Sequence, residues 1–509
     1  MSLGNMKNKI IFWLNADFTI FAVAREIQKK YNADFYAIVD ITDKPKEFFI
    51  NQKLIEFKKT WFYHDNINPN KKPDLEYLKS FEEKYKINLW VLAYNERLFY
   101  NYNEFYQFSE DEILSILEQE CKLFESIIDE VKPNFLIMFM TMSHYDHLFY
   151  EICKKNSVIP LILNDTRLAK RFCITSIPNN IDFIPEHFTG KTNLTNLEQI
   201  NQIREKYDVF KLVLDYESNF LKSKLKMIMA TLKFLLLNKN TNKKSHYTYF
   251  GRSKLKVFFT HLKYTLIEPI RLNFINKNFL TVIQDEKVIL FGLPVMPERT
   301  ILLSAPFYTN LFELIESIVK SLPIGYKLYV KEHPAMNSRG WNKISFYKQL
   351  MRLPNVKLLH PNTKSVDLMK KSSLIIVITG TLGFEALCHN KPSITFADTD
   401  YSMLSCVTRI KSMEELPLAI STSLTKQVNP LELGEYIETI LANSFEFDVH
   451  SFRNIFASKF YYQAFLVDVH ISEEDLKSFL DEHHDMISSV SDEFLKKLNT
   501  IKEKNLTKH

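Results

Sequence analysis

The chain has 509 residues, 46% of them apolar and 25% charged, with a formal net charge of +5; this is the composition of a soluble globular protein of two or three domains, and it excludes a disordered or fibrous chain. It holds no run of about eighteen apolar residues, which argues against a membrane-spanning helix. The N-terminus lacks a basic region followed by an apolar stretch and a cleavage site, so no secretory signal is expected. The five cysteines, at 121, 153, 173, 388 and 406, have no metal-ligand spacing and suit reduced core thiols in a cytosolic protein.

The first third alternates strand and helix signals. Short apolar runs at 10–14, 35–39, 61–63, 89–93, 135–140 and 159–163 predict strands, and apolar spacing predicts helices over 18–31 and 113–131. The runs at 135–140 and 159–163 are almost continuously apolar, as in a parallel sheet covered on both faces. From about 180 to 285 the alternation fades into an irregular and helical region. It resumes at Lys287, with strands expected at 288–291, 326–330, 356–359, 374–378 and 393–396. Helices over 309–322, 345–352, 365–371 and 384–389 separate them, giving a doubly wound α/β unit. Beyond about 425 the chain reads as polar and helical. The expected division is thus 6–180, an N-terminal Rossmann-like lobe; 181–285, a helical and basic connection; 286–425, a second Rossmann-like lobe; and 426–509, C-terminal helices.

Five of the nine glycines fall between 292 and 383. Two of them stand in the phrase Thr379-Gly380-Thr381-Leu382-Gly383-Phe384-Glu385, between a strand signal and a helix start. The first turn of a helix carries unpaired N–H groups and the positive end of the helix dipole, which suits phosphate. The phrase matches neither the Walker A loop nor the dinucleotide fingerprint. A second phrase, Lys331-Glu332-His333-Pro334, also follows a strand signal, and ligands of open α/β sheets bind beyond the carboxyl ends of strands. A phosphate between the two phrases would receive the His333 imidazole N–H, hydroxyl protons of Thr379 and Thr381, and backbone N–H groups. Lys331 and Gly383 are candidates by membership of the same phrases.

Charge is uneven. From Phe220 to Lys263 there are eleven Lys and Arg side chains and no Asp or Glu, interleaved with Leu, Met, Ile and Phe. A basic amphipathic stretch of this kind reads either as an element that touches an anionic membrane surface or as a helix packed on the body by its apolar side. No nucleic-acid reader motif accompanies the charge, and no nucleic-acid partner is expected.

The stretch from Lys287 to about Leu416 resembles the bacterial capsule polysaccharide biosynthesis family, which includes the retaining Kdo transferases of capsule assembly. The phrases that carry the resemblance are Leu-Pro-Val-Met-Pro-Glu (293–298), Ala-Pro-Phe-Tyr (305–308), Val-Lys-Glu-His-Pro-Ala-Met (330–336), Leu-Pro-Asn-Val (353–356), and Thr-Gly-Thr-Leu-Gly-Phe-Glu-Ala-Leu with Asn-Lys-Pro (379–392). The resemblance implies a GT-B-like fold of two Rossmann-like lobes facing a cleft. It also implies a glycosyltransferase that moves a sugar from a nucleotide-sugar donor onto a surface glycan or glycolipid, with CMP-linked acidic sugars as the suggested donors. His333 then contacts donor phosphate; Thr379, Gly380 and Thr381 cradle it; Glu385 holds ribose hydroxyls. Where relatives carry Gln-Pro this chain has Met296-Pro297, which leaves that position without an amide; Glu298 follows as an acid/base or hydroxyl ligand.

The N-terminal lobe is expected to supply the acceptor site and a catalytic carboxylate. Asp17 leads the candidates, ahead of Asp146, His144 and Asp165, with Arg167 and Arg171 placed to neutralise an acidic sugar. Glu96 with Arg97 is either a site or an ion pair between lobes. The nucleotide leaving group of such a donor is already activated, so a mechanism with no metal and no cofactor beyond the nucleotide-sugar substrate is expected. Two other classes remain open: a nucleotide-sugar epimerase of the same fold, and a non-enzymatic scaffold of a capsule assembly complex.

Overall fold

A computed structural model describes residues 7–68, 71–178, 180–208, 224–237 and 246–506. Its thirteen strands are β1 (Asn8–Asn15), β2 (Ala33–Asp40), β3 (Lys59–Phe62), β4 (Phe135–Phe139), β5 (Ile159–Asp165), β6 (Arg171–Thr175), β7 (Lys287–Gly292), β8 (Tyr326–Lys331), β9 (Val356–Leu359), β10 (Leu374–Val377), β11 (Ser393–Thr395), β12 (Val407–Arg409) and β13 (Phe445–Glu446). The chain divides into two compact units, one of residues 1–178, 209–258 and 444–509, the other of 179–208 and 259–443.

The first unit is built on the sheet β13-β6-β5-β4-β1-β2-β3. Strands β1 to β5 are parallel and run outward in both directions from β1. β6 returns antiparallel to β5, and β13 antiparallel to β6. β4 and the interior of β5 are buried throughout because both faces are covered. On one face Ile10, Phe12 and Leu14 share a core with the helix Thr19–Lys30 and with Phe452, Phe456, Phe479, Val490, Phe494 and Leu498 from the C-terminal helices. On the other, Trp13 packs on Tyr63, Phe124, Tyr145 and Phe149.

Three expectations are corrected here. The helices after Ser444 are not a separate segment; their Phe, Leu and Val side chains complete the core of the first unit. The connection 181–285 is likewise divided between the units rather than standing apart. The run 89–93 is not a strand but the helix Leu89–Tyr94, started by Asn88, whose side chain accepts the Val91 N–H at 3.0 Å.

The second unit has one wholly parallel sheet, β12-β11-β10-β7-β8-β9. The chain lays down β7, β8 and β9 in one direction, then crosses to the far side of β7 for β10, β11 and β12. This is the doubly wound, Rossmann-like order. Its reversal between β7 and β10 opens the crevice where such sheets bind ligands. All five cysteines are buried and none forms a disulfide.

A buried charged cluster lies in the first unit. His144 is fully buried; its Nδ1 meets Glu96 Oε2 at 2.8 Å and its Nε2 meets Glu120 Oε1 at 2.9 Å. Glu120 also accepts the hydroxyl proton of Tyr63, and the Tyr63 and Tyr247 hydroxyls lie 2.7 Å apart. Burial opposes both charges, but the partners outweigh it. Glu96 is held down at about 2 by the His144 hydrogen bond and charge, and His144 is raised to about 10 chiefly by Glu120 and then Glu96. His144 and Glu96, weighed above as site residues, therefore serve the fold. Glu96 pairs with His144 within its own unit.

The His144→Ala variant leaves two buried carboxylates without their cation and is expected to lose about 3–5 kcal/mol in chemical denaturation at neutral pH. The pH dependence follows from the two shifts. The raised His144 contributes fully below its ordinary 6.5, and that contribution declines as pH rises toward 10. The lowered Glu96 contributes fully above its ordinary 4.5, and that contribution declines as pH falls toward 2. Wild-type protein should thus lose stability relative to the variant on both sides of the window from 4.5 to 6.5.

Candidate active site

The carboxyl ends of β8 and β10 flank that of β7, so the two sequence phrases stand two strand spacings apart, about 10 Å. After β10, Gly380 caps the helix Thr381–Cys388 with φ −67° and ψ 153°, an extended conformation open to any residue. The glycine that sterics demand is Gly383. A Cβ there would lie 2.6 Å from Tyr401 Oη and 2.8 Å from Val377 Cγ2. Expected among the phosphate contacts, Gly383 instead has a packing reason to be glycine. Gly292, which ends β7, has a similar one, since its Cβ would meet Leu382 Cδ2 at 2.8 Å. The two glycines let the helix lie close on the sheet at its switch point. Tyr401 fixes the turn by donating its hydroxyl to the Gly380 carbonyl at 2.9 Å. Gly380 is exposed and Thr381 half-buried, while Thr379 is buried.

After β8 the loop is held by Glu332, which is fully buried. Its Oε1 accepts the His333 backbone N–H at 2.9 Å; its Oε2 accepts Asn342 Nδ2 at 2.9 Å and the Tyr347 hydroxyl. His333 Nδ1 accepts the Ala335 N–H at 3.1 Å. With Nδ1 occupied as an acceptor, the proton of the neutral ring sits on Nε2. Burial, then the nearby Lys331 charge, holds the His333 pKa down to about 4. At neutral pH the side chain is thus an uncharged N–H donor. Lys331, at the end of β8, donates to Ser365 Oγ at 2.7 Å; burial lowers it to about 8, with Glu385 pulling the other way.

Glu385 is buried, and burial pushes it up to about 7 against the pull of Arg204. Arg204 Nη2 lies 3.7 Å from Glu385 Oε2 and 3.4 Å from Asp208 Oδ2. Arg204 comes from the helix Leu197–Lys206, in the stretch read from sequence as irregular connection. Neither it nor the Glu332 network was legible there. Arg204 stands in an ordinary polar helix, and its partner is 181 positions away. Glu298, in the loop after β7, caps the helix Arg299–Ser304 by position, without a side-chain cap bond.

The candidates of the first unit are scattered. Asp17 Oδ2 pairs with Arg453 at 2.6 Å, and its Oδ1 accepts the Thr19 N–H at 2.9 Å. Asp146 accepts the N–H groups of Met142 and Ser143 at 2.7 and 2.9 Å, closing a capping box. Arg171 is not turned to a ligand: its Nε donates to Ser444 Oγ at 2.8 Å and its Nη1 lies 3.7 Å from Glu446, so it ties β13 to β6. Asp165 is exposed at the end of β5, and Arg167 is half-buried just beyond it.

Residues 197–422 match the family model described as "Capsule polysaccharide biosynthesis protein". No curated protein matches the chain in sequence. Among solved structures, UDP-GlcNAc 2-epimerase of Methanocaldococcus jannaschii is 14% identical, with 85% of this chain and 99% of that one covered at a TM-score of 0.26. Two KpsC structures of Thermosulfurimonas dismutans also align. The beta Kdo 2,7 transferase is 13% identical over 62% of this chain and 79% of its own, at a TM-score of 0.30. The beta Kdo 2,4 transferase is 14% identical over 60% and 79%, at 0.31. The fold is read from the strand order of each unit, not from these superpositions. The matched residues hold both the Lys331–Pro334 and the Thr379–Glu385 phrases.

Proposed function

We propose that the chain is a glycosyltransferase of capsule polysaccharide biosynthesis, and that its second unit holds the nucleotide-sugar donor. One observation above all supports this. A neutral imidazole and a helix N-terminus stand at the ends of β8 and β10, on either side of β7, at the switch point of a parallel sheet. A donor phosphate there would receive His333 Nε2–H, the Thr381 N–H and hydroxyl, and the positive end of the helix dipole. Lys331 adds a cation at the end of β8, and Glu385 a carboxylate suited to vicinal ribose hydroxyls. As the glycosidic bond to phosphate breaks, charge grows on the leaving oxygen, where fixed donors are most effective. This chemistry calls on no metal or cofactor. CMP-linked acidic sugars are the donors to test first.

In the first unit, Asp17 is engaged by Arg453 and the Thr19 N–H and is assigned to structure. Arg171 is assigned to the β6–β13 pairing. Glu298 is retained as the acid/base candidate and Arg167 as a contact for an acidic sugar.

The same reading locates the enzyme on the inner face of the membrane, where lipid-linked glycans are assembled. The helix Lys224–Leu236 supports this. Lys226 donates to Ser458 O and Oγ at 3.2 and 2.8 Å, and Lys233 to the Tyr462 hydroxyl. Meanwhile Leu225, Ile228, Leu232 and Leu236 are 52–75% exposed. Polar side chains thus hold the helix to the body while apolar ones face outward, the reverse of a helix packed by its apolar side. The helix Lys254–Asn278 carries a matching exposed stripe, Leu255, Phe259, Leu262, Leu266 and Ile270. Among the described residues, no helix is long and apolar enough to cross a membrane. Lys222, Lys239, Lys243 and Lys244 of the basic stretch lie outside the described residues.

A thermal-shift screen against CMP, UDP, GDP and their sugars should reveal a nucleotide that stabilises the protein. With donor and acceptor in hand, His333→Ala should lower kcat by about 10²-fold or more, and Glu385→Gln should chiefly raise KM for the donor. Wild-type kinetics in both variants, or interconversion of donor without acceptor, rules out the transferase roles; the latter outcome identifies an epimerase.

Nucleotide affinity should also have a narrow pH optimum. Glu385 becomes a carboxylate as pH rises through about 7, and Lys331 loses its proton through about 8. Calorimetric titration from acid to alkaline pH should show tightest binding between these values. Glu385→Gln should flatten the acid limb and Lys331→Met the alkaline one; an unchanged profile in both variants contradicts the assignment.

Vesicle co-sedimentation tests the location. Binding should be strong with anionic vesicles and fade at high salt, as the Debye length falls from about 10 Å at 0.1 M to about 3 Å at 1 M. Replacing Leu225, Ile228, Leu232 and Leu236 by Ser should abolish it. Equal binding to neutral and anionic vesicles, or none to either, overturns the proposal.

A further inference from the structure

The first unit contains a cavity of about 300 Å³ that none of the sequence candidates lines. It opens beyond the carboxyl ends of neighbouring strands. Ala16 follows β1, Asp40 ends β2, His64 stands in the turn after β3, and Tyr145 begins the helix after β4. Strand order reverses between β1 and β4, so this is the switch point of the first sheet. Thr248 and Arg252 complete the wall.

Several polar groups of the wall are tied to one another. Asp40 Oδ1 takes His64 Nε2 at 2.8 Å, and its Oδ2 accepts the Tyr145 hydroxyl at 2.9 Å. In the neutral ring this carboxylate places the proton on Nε2 and leaves Nδ1 as an acceptor. His64 is only 6% exposed, and Nδ1 has no hydrogen-bond partner among the described residues. Thr248 Oγ1, also on the cavity wall, is buried and equally without one. Buried polar atoms are nearly always paired, and an orphaned one at a cavity marks a missing partner. The Arg252 guanidinium is stacked 4.9 Å from the centre of the Phe105 ring. A second pair, the Thr42 and Tyr249 hydroxyls, stands 2.7 Å apart on the same wall.

Hydroxyl, imidazole, carboxylate and guanidinium groups close together, with rings beside them, suit a compact polyhydroxylated ligand. The volume is at the lower end for ligand pockets, about 300–1,000 Å³, and matches one sugar ring. We propose that this cavity is a monosaccharide site of the first unit, in which His64 Nδ1 accepts a sugar hydroxyl and Thr248 Oγ1 pairs with a second. It deepens the transferase reading by naming where the acceptor sugar is held, and it rests on that reading only for the word acceptor.

The test is ligand-observed saturation-transfer NMR with the full chain. The probes are methyl glycosides of glucose, galactose, mannose and N-acetylglucosamine, together with glucuronic acid. At least one should bind the wild type. Thr248→Val, which keeps shape and removes the hydroxyl, and His64→Phe, which keeps a ring and removes Nδ1, should each weaken that probe by about tenfold or more. Nucleotide binding, measured in parallel by thermal shift, should be unchanged in both variants, which also shows that they are folded. Should His64→Phe fail to fold, Thr248→Val alone decides. Absence of binding by every probe, or equal binding in wild type and Thr248→Val, overturns the site. Loss of sugar binding in the variants of a wild type that binds no nucleotide upholds the site and refutes the transferase reading instead.

Discussion

The candidate active site depends on how closely one short helix approaches one sheet. The helix Thr381–Cys388 lies close against β7 and β10 where Gly292 and Gly383 have no Cβ; at Gly383 a Cβ would stand 2.6 Å from Tyr401 Oη and 2.8 Å from Val377 Cγ2, and at Gly292 2.8 Å from the flexible end of Leu382. With the helix drawn in, its first turn is held at the strand ends, and Tyr401 pins the preceding carbonyl. A helix N-terminus binds an anion through N–H groups that point outward from its first turn, and that effect fades within a turn. Position therefore matters, and here close packing at Gly383 and the Tyr401 hydrogen bond help to set it.

Burial acts differently on the two sets of ionisable groups. In the first unit His144 is enclosed by two carboxylates, and their attraction overcomes desolvation, so the charges persist. In the second unit Lys331, His333 and Glu385 are pushed by burial toward their neutral forms. Groups poised near neutrality are held by partners too weak to fix their charge, and an incoming phosphate or ribose can supply the missing interaction. The contrast separates a cluster that maintains the fold from one suited to a ligand.

Both sheets reverse their strand order next to their first strand, and near each reversal a carboxylate holds polar groups in place. Glu332 sets the His333 backbone, and Asp40 sets the His64 ring. In each case a histidine follows a strand and an acidic residue decides which ring atom or which direction it presents. The acidic residues do not themselves need to meet a ligand; they remove the rotational freedom that a loop histidine would otherwise have to lose on binding.

Much of this was legible in the sequence, because the signals were local. Near-continuous apolar runs such as 135–140 and 374–378 mark buried parallel strands wherever they fold, and Thr379–Glu385 and Lys331–Pro334 follow such runs directly. The sequence by itself thus determined two doubly wound units, the strand ends that carry His333 and Gly380, and the family resemblance of the stretch from Lys287 to about Leu416. What it could not show depends on partners far apart in the chain. The fold alone brought the C-terminal helices onto the first sheet, paired Arg204 with Glu385, tied Arg171 to Ser444, and gave Gly383 a packing reason to be glycine. It also left His64 beside Asp40 on the wall of a cavity. Strand and turn signals come from the spacing of a few neighbouring residues, whereas pairing, burial and orphaned polar atoms are properties of the tertiary arrangement, which alone decides what surrounds a side chain.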